Sequence, residues 1–458
     1  MPRPAGLLGS HVTTDLTRNM TADDSRRVSV LLGVLFGLAG MGSSSAAIAL
    51  PLLGSDLGVG VGDATWTITL YVLMLAVTTA VYGRVSDLVG VRIPLLVGIG
   101  LMTAGALVAA FAPTFEVLLL GRMFQGAGAA AVPTLGVAVL SKRYDGEVRG
   151  VALGRLAGMA AAISCLGPLA GGLVEHAFGW RVVMALPILG VVVLPFLWRA
   201  LSPEGSGANL DVLGAVLVAA TSAGLVLLVQ SPATGLVIAV LGGVLLVLGV
   251  PAVTWRVRRR PHGFLPLSVV RDGTVVRSAL AAAAVPAAWF AHLVAVPAVL
   301  VHEGWEAWQV GLLLVPAAFL AMVMPRTAGT LLARIGSAPS LGVAGIIATV
   351  ALLLASLGTW LVSPVVLVVA VALVTVSFGL GQPALIAAVG ESVALDVRGV
   401  ALGVATLLFL VGGSVGSAVV GGLGEVTGIP ASLAVLAVLP LLGLVALVPE
   451  LRRVPEPV

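Results

Sequence analysis

Hydrophobic residues in this chain form long continuous runs that are separated by short polar connections. A helix needs about 20 apolar residues to cross the hydrocarbon core of a bilayer. Apolar and polar positions do not alternate within the runs, as they would in the strands of a membrane β-barrel. The pattern therefore predicts fourteen transmembrane helices, at residues 28–50, 65–83, 93–113, 117–140, 151–174, 181–199, 211–230, 234–254, 278–301, 308–327, 339–358, 363–386, 399–423 and 430–449.

The composition favours the same class of protein. Hydrophobic residues make up 59% of the chain and charged residues 10%, whereas a soluble domain carries about a quarter charged residues. Only helices and closed barrels satisfy their backbone hydrogen bonds in lipid. We therefore expect an all-α polytopic membrane protein in contact with membrane lipid. The net charge of +4 does not indicate a nucleic-acid partner, because the arginines are dispersed between apolar runs.

The basic residues predict how the chain is oriented. Lys and Arg accumulate in short cytoplasmic connections, and an even number of spans places both ends on one face. The basic residues of the connections fall on that face, except Arg181, and Arg122 lies well inside a span. We expect a multi-pass protein of a bacterial inner (plasma) membrane with both ends cytoplasmic. The first 27 residues lack the features of a signal peptide.

A short repeat predicts two related halves. Residues 147–154 recur 249 residues later as residues 396–403, with seven of eight positions identical. Gly83 and Gly90 likewise correspond to Gly329 and Gly336. Because transporters are often built from duplicated bundles, we expect two six-helix bundles with two helices inserted between them. The expected divisions are a cytoplasmic tail at 1–27, a bundle at 28–200, an insertion with a basic loop at 201–277, a second bundle at 278–449 and a cytoplasmic tail at 450–458.

Three segments place glycine, proline or polar residues at defined positions around the spans. After the second span, glycines permit a tight turn in which a carboxylate can accept bonds from arginines or helix N-termini. In the fourth span, an arginine and a glutamine share one face, and an arginine at membrane depth costs about 3 kcal/mol unless it faces protein or water. In the fifth span, small residues allow close helix packing and a proline bends the helix. In the order of these segments, the residues are Gly83, Asp87, Gly90 and Arg92 after the second span, Arg122 and Gln125 in the fourth span, and Gly158, Gly167, Pro168, Gly171 and Gly172 in the fifth span.

These segments resemble the motifs of the major facilitator superfamily, specifically its fourteen-span drug:proton antiporter branch. The resemblance implies a major facilitator fold and secondary active export by alternating access, driven by a proton gradient without a cofactor. It also implies that the turn around Asp87 is a cytoplasmic gate, that Arg122 and Gln125 serve proton coupling, and that residues 158–172 contain an outer gate. An Arg122 that only caps neighbouring carbonyls is the alternative.

The chain departs from that branch in the first span, where Gly42 stands in place of an expected aspartate. Leu88 and Val91 replace arginines that are expected in the cytoplasmic turn. No carboxylate is expected at mid-membrane, so the cavity would not attract organic cations, while Arg122 favours an anionic or neutral ligand. A facilitator or importer of the same fold, not coupled to protons, is therefore an alternative.

Several other side chains are candidates for contact with a substrate or a proton. His292, in the middle of the ninth span, can carry a proton near neutral pH; a histidine bonded to a neighbouring helix is the alternative. Candidate residues of the substrate cavity are Ser43, Ser44, Tyr71, Trp289 and Gln382. We expect a monomer that exports a small hydrophobic drug, antibiotic or natural product. The sequence has no paired catalytic carboxylates and no metal-ligand spacing, so neither an enzyme nor a metal site is expected, and it has no soluble domain of the kind a non-transporting sensor would carry.

Overall fold

The computed structural model describes residues 8–201, 211–261, 263–393 and 398–452. Within these ranges every regular element is a helix. Fourteen helices are long and apolar enough to cross a membrane. They are α1 (Asp23–Leu57), α2 (Gly62–Ser86), α3 (Arg92–Ala110), α4 (Phe115–Arg143), α5 (Val148–Phe178), α6 (Trp180–Leu197), α7 (Val212–Thr234), α8 (Leu236–Arg259), α9 (Gly273–His302), α10 (Ala307–Met324), α11 (Ser337–Trp360), α12 (Pro364–Ser392), α13 (Ala401–Thr427) and α14 (Ile429–Leu451).

Each of the fourteen runs predicted from hydropathy overlaps one of these helices, so the all-α polytopic fold is confirmed. Most bounds differ by a few residues, because several helices continue into the polar connections. The helical backbone of α1 extends back to Leu8, through most of the residues that were expected to form a tail.

Helix α5 is interrupted where the sequence predicted a bend. Its two helical segments are Gly146–Cys165 and Gly167–Phe178. Pro168 has no N–H to donate to the carbonyl of Ser164, four residues earlier. The hydroxyl of Ser44 in α1 donates to that carbonyl instead, at 2.8 Å. The proline therefore bends α5 and also provides a bond between α5 and α1.

Two pairs of helices make the most extensive contacts between the first six helices and the last six. Helix α2 packs against α13, and α5 packs against α10; we call these contacts the α2–α13 seam and the α5–α10 seam. Helices α7 and α8 pack together, and α7 also lies against α2 and α13. Only 11% of the residues in the most apolar 18-residue stretch of α8 are buried, so α8 faces outwards.

The backbone repeats where α2 and α10 end. The helical backbone of α2 continues to Val89 and that of α10 to Ile335; Gly90 then follows with φ +78° and Gly336 with φ +86°. Glycine adopts these left-handed angles without the steric cost that a side chain adds. With an even number of spans, both glycines lie on the face where the fourteen spans begin and end. We call this the terminal face and the other the opposite face.

Asp211, just before α7, anchors the inserted helices at the terminal face. Its carboxylate accepts hydrogen bonds from Arg256 Nε at 3.0 Å and from the backbone amides of Phe264 and Gly214, both at 3.1 Å. Burial acts to raise the pKa of Asp211, but the bonds from Arg256, Phe264 and Gly214 outweigh it and hold the pKa below its ordinary value of 3.8. The carboxylate therefore ties α7 to α8 and to the following loop.

We expect Asp211→Ala to lower the free energy of unfolding by about 2–3 kcal/mol, because a helix cap and charge-assisted bonds are lost together. The matched control is Asp272→Ala, which removes the cap that accepts from the amides of Thr274 and Val275; we expect about 1 kcal/mol there. Thermal unfolding in detergent measures both changes. Equal losses in the two variants would contradict the extra bonds assigned to Asp211.

The same bonds predict a pH dependence. Because the folded pKa of Asp211 is lowered from 3.8, its contribution to stability is complete above that pH and is lost as the pH falls through the folded pKa. The difference in the free energy of unfolding between wild type and Asp211→Ala should therefore be constant near neutral pH. It should shrink only in strongly acidic buffer.

Candidate substrate pathway

Arg122 in α4 is fully buried, and its guanidinium binds three acceptors. Nε donates to the carbonyl of Thr67 at 2.9 Å, and Nη1 donates to the carbonyl of Gly42 at 2.9 Å and to Oε1 of Gln125. The amide of Gln125 donates in turn to the carbonyl of Met184 at 3.1 Å. These bonds connect α4 with α1, α2 and α6.

Tyr71 of α2 completes this group. The guanidinium of Arg122 lies 4.3 Å from the centre of the Tyr71 ring, and the Tyr71 hydroxyl donates to the carbonyl of Ala39 at 2.6 Å. Gly126 packs so closely against the backbone of Tyr71 that a side chain would not fit there. The structure thus brings together Arg122, Gln125 and Tyr71, and we call these three residues the α4 cluster.

The contacts of the α4 cluster match the alternative in which Arg122 caps carbonyls. Gly42, which stands where an aspartate was expected, supplies one of those carbonyls. Among the described residues no carboxylate pairs with Arg122. A role of Arg122 in proton coupling stays a prediction.

A cavity of about 30 Å³ lies between the two bundles. Helices α1 and α5 form one wall, and α9, α10 and α12 form the other. This volume is about that of a single water molecule, whereas drug-sized ligands occupy pockets of about 300–1,000 Å³. The bundles must therefore separate here to admit a substrate. The cavity is lined by Ser44, Ser164, Cys165, Pro168, Trp289, His292, Leu293, Leu314, Ala317, Ala318, Val371 and Val374.

His292 belongs to the α9 wall of this cavity. Its Nδ1 lies 2.7 Å from the carbonyl oxygen of Ala288, and its Nε2 lies 3.2 Å from that of Ala351 in α11. A neutral imidazole has one N–H and can donate only one of these bonds, while an imidazolium donates both. The contact with Ala351 is of the kind expected for a histidine bonded to a neighbouring helix. The two carbonyls also form a suitable environment for a second proton.

The α5–α10 seam is tightly closed near the opposite face. A Cβ at Gly172 would lie 2.5 Å from the carbonyl oxygen of Ala307, and a Cβ at Gly311 would lie 2.5 Å from that of Pro168. Gly171 approaches the backbone of Ser45 in α1 in the same way. Backbones can approach this closely only where side chains are absent. Small residues therefore close the cavity towards the opposite face.

The α2–α13 seam is closed at the same level by polar contacts. The amide of Gly62 donates to a carboxylate oxygen of Glu425 at 3.0 Å. Gln230 of α7 donates to the hydroxyl of Thr65 at 2.7 Å and to the carbonyl of Gly62 at 3.1 Å. The inserted helix α7 thus supports this contact between the bundles.

On the terminal side of the cavity, α5 and α13 carry glycines that make no close contact. No heavy atom of the described residues lies within 4 Å of a Cβ placed on Gly154 or Gly158 of α5, or on Gly403 of α13. Gly154 and Gly403 are equivalent positions of the sequence repeat. Gly158, predicted as part of the outer gate, therefore faces open space on the terminal side of the cavity, while the residues from Gly167 to Gly172 form the close contacts.

The residues predicted as a cytoplasmic gate lie at the end of α2, on the terminal face. Gly83 is in ordinary contact with the side chain of Thr134. The guanidinium of Arg92 lies 3.7 Å from the ring centre of Trp198. The side chain of Asp87 lies outside the described part of the structure, so its role as a gate stays a prediction.

The structure separates the predicted cavity residues into two groups. Ser44 and Trp289 line the cavity, as does His292. The lining residues do not include Ser43, Tyr71 and Gln382. The hydroxyl of Ser43 donates to the carbonyl of Gly40 at 3.0 Å.

Sequence reasoning also missed part of the cavity wall. Cys165 and Ser164, which were not among the candidate residues, line the cavity beside Pro168. Residues three or four apart share a helix face, so the Gly-Pro segment was the signal that could have identified them. Among the described residues no group of acidic, histidine and cysteine side chains is arranged to hold a metal.

Fourteen apolar helices that pack around a small cavity define a polytopic membrane protein. A family model described as Major Facilitator Superfamily matches residues 32–417. The chain therefore belongs to the major facilitator superfamily, and the expectation that it is a transporter and not an enzyme is confirmed.

Similar proteins include three bacterial transporters that are named as MFS-type. YvkA of Bacillus subtilis (strain 168) is 26% identical over 259 residues, which cover 55% of this chain and 57% of YvkA. YwoD of the same organism is 31% identical over 188 residues, with 39% and 41% covered. EfpA of Mycobacterium tuberculosis (strain ATCC 25618 / H37Rv) is 30% identical over 191 residues, with 41% and 36% covered. Each match spans less than two thirds of the relative's own length.

The fold is also found among solved structures. A POT family transporter in complex with 5-aminolevulinic acid superposes with a TM-score of 0.68, covering 93% of this chain and 96% of that one. The two sequences are 14% identical. This likeness therefore concerns the fold alone.

Proposed function

We propose that this transporter exports a small hydrophobic organic molecule, such as a drug, an antibiotic or a natural product, in exchange for protons. The observation that carries the proposal is the cavity between the bundles. Close contacts around Gly172 separate it from the opposite face, whereas no described heavy atom lies within 4 Å of a Cβ placed on Gly154 or Gly158, on its terminal side. An exporter needs this state to collect its substrate from inside the cell.

The proposal places the terminal face in the cytoplasm. The support is the distribution of basic residues, which favours the cytoplasmic side in short connections. Arg84, Lys142, Arg143, Arg256 and Arg258 all lie on connections or helix ends at the terminal face. We further propose, from the resemblance of its motifs, that the chain belongs to the fourteen-span drug:proton antiporter branch and acts as a monomer in a bacterial plasma membrane.

Proton coupling is assigned to His292 because it lines the cavity, has a carbonyl oxygen near each ring nitrogen, and is the only base among the described lining residues. A proton that enters or leaves His292 changes the charge of the cavity wall. A charged imidazole could donate to both carbonyls, and these two bonds would offset part of the cost of burying its charge.

We expect export to depend on a proton gradient. A susceptibility panel in a pump-deficient host would first identify a substrate, which would then be measured in everted membrane vesicles. The substrate should accumulate when the vesicle interior is acidic, and accumulation should stop when nigericin collapses the gradient. Continued equilibration without a gradient would instead favour the facilitator alternative, and uptake by intact cells would favour an importer.

His292→Gln should keep exchange of substrate but lose accumulation against its gradient, because glutamine donates hydrogen bonds without titrating. The matched control is His302→Gln, at the exposed end of the same helix, which should couple as wild type does. Gradient-driven accumulation that persists in His292→Gln would remove His292 from the coupling mechanism.

A further inference from the structure

The cavity between the bundles differs from a cation-binding pocket in the charge of its wall. Among the described residues, those that line it include no Asp, Glu, Lys or Arg; His292 and Cys165 are the titratable ones. An organic cation that enters without a carboxylate partner loses its hydration without compensation. Arg122, which favoured an anion on sequence grounds, is fully buried in the α4 cluster and is not a lining residue.

The polar groups of the wall are already bonded within the protein. The hydroxyl of Ser44 donates to the carbonyl of Ser164 at 2.8 Å, and the hydroxyl of Ser164 donates to the carbonyl of Gly37 at 3.3 Å. Both ring nitrogens of His292 face backbone carbonyls. An anion would therefore find few free donors to replace its water shell.

The apolar part of the wall includes one aromatic side chain, Trp289. Its ring packs against that of Phe378, which is not a lining residue, with the ring centres 5.4 Å apart and the planes tilted by 41°. Leu293, Leu314 and Val374 add aliphatic groups to the lining. Flat aromatic molecules gain both buried area and ring contacts at such a surface.

We propose that this cavity binds uncharged, aromatic hydrophobic molecules and discriminates against organic ions of either sign. The inference rests on the proposed function and adds the charge class of the substrate. Selection follows from the wall: an uncharged ring system gains area against Trp289 and loses little hydration, whereas an ion leaves water without a partner of opposite charge.

Cys165 allows the proposal to be tested without a transport assay, because it lines the cavity and is the single cysteine of the chain. N-ethylmaleimide would modify purified wild-type protein, and intact mass would follow the rate. Nile red, an uncharged dye, should slow alkylation at least fivefold. The cation rhodamine 6G and the anion fluorescein, at equal concentration, should change the rate less than twofold.

Partitioning of the dye into detergent or lipid needs a control at the lipid surface. Leu166, the next residue, is 41% exposed on the outside of α5. In a Cys165→Ser, Leu166→Cys protein, Nile red should not protect the thiol. Protection at position 166 as strong as at Cys165 would overturn binding in the cavity.

A second variant tests the role of charge directly. Ala318 lines the α10 wall and is 4% exposed. Ala318→Asp should let rhodamine 6G protect Cys165, while the isosteric Ala318→Asn should not. Protection of wild type by rhodamine 6G or fluorescein equal to that by Nile red would overturn the charge class. Failure of Nile red to protect wild type, while vesicles still export a substrate, would overturn the pocket and leave the proposed function standing.

Discussion

Arg122→Ala is expected to reduce transport more than tenfold and to destabilise the protein. The substitution leaves the carbonyls of Gly42 and Thr67 and the side chain of Gln125 without their donor inside a buried region. Each buried polar group that loses its partner costs about 1–3 kcal/mol. Helices α1, α2 and α4 would then lose the contacts that hold them in one arrangement.

The matched control is Arg122→Lys, which keeps a positive charge but cannot serve three acceptors that lie around a planar guanidinium. We expect an intermediate melting temperature and transport nearer to that of Arg122→Ala, because the geometry and not the charge alone is lost. Thermal unfolding and substrate efflux measure the two effects separately. Wild-type stability together with wild-type efflux in Arg122→Ala would contradict both the structural role and a part in proton coupling.

Gly172→Ala should reduce transport about tenfold or more by opposing closure of the α5–α10 seam. A Cβ there would lie 2.5 Å from the carbonyl oxygen of Ala307 and 2.6 Å from Cα of Trp308, both backbone atoms. Overpacking of this kind costs about 1–3 kcal/mol, and about 1.4 kcal/mol changes a population tenfold. The state described here would become rarer relative to one open at the opposite face.

The control is Gly158→Ala on the same helix, where no described heavy atom lies within 4 Å of the added carbon. Both substitutions replace a helical glycine by alanine, so the gain in helix propensity is the same. A charged, membrane-impermeant maleimide applied from the opposite face should modify Cys165 faster in Gly172→Ala and at the wild-type rate in Gly158→Ala. Equal rates in both variants would show that Gly172 does not control closure.

The pathway was only partly predictable from motifs. Arg122 and Gln125, three residues apart on one helix, meet as their spacing predicts. Ser44 and Ser164 come together because a proline in α5 frees a carbonyl that α1 can reach, and no local pattern indicates which helix will be opposite. Tyr71 was expected in the cavity, yet its ring packs under Arg122. Its amphipathic character fits both locations equally well.

The sequence by itself determined that this protein has fourteen helices long and apolar enough to cross a membrane, and where each one lies; its repeat predicts that the halves are related. These properties depend on the length and polarity of local segments, because lipid requires every span to satisfy its own backbone hydrogen bonds. Only the tertiary structure decided which faces meet: that His292 and Cys165 share a cavity, that Gly172 closes one face and that Gly158 faces open space. An apolar helix presents similar chemistry on all its sides, so its neighbours are selected by shape complementarity between distant segments, which hydropathy along the chain does not encode.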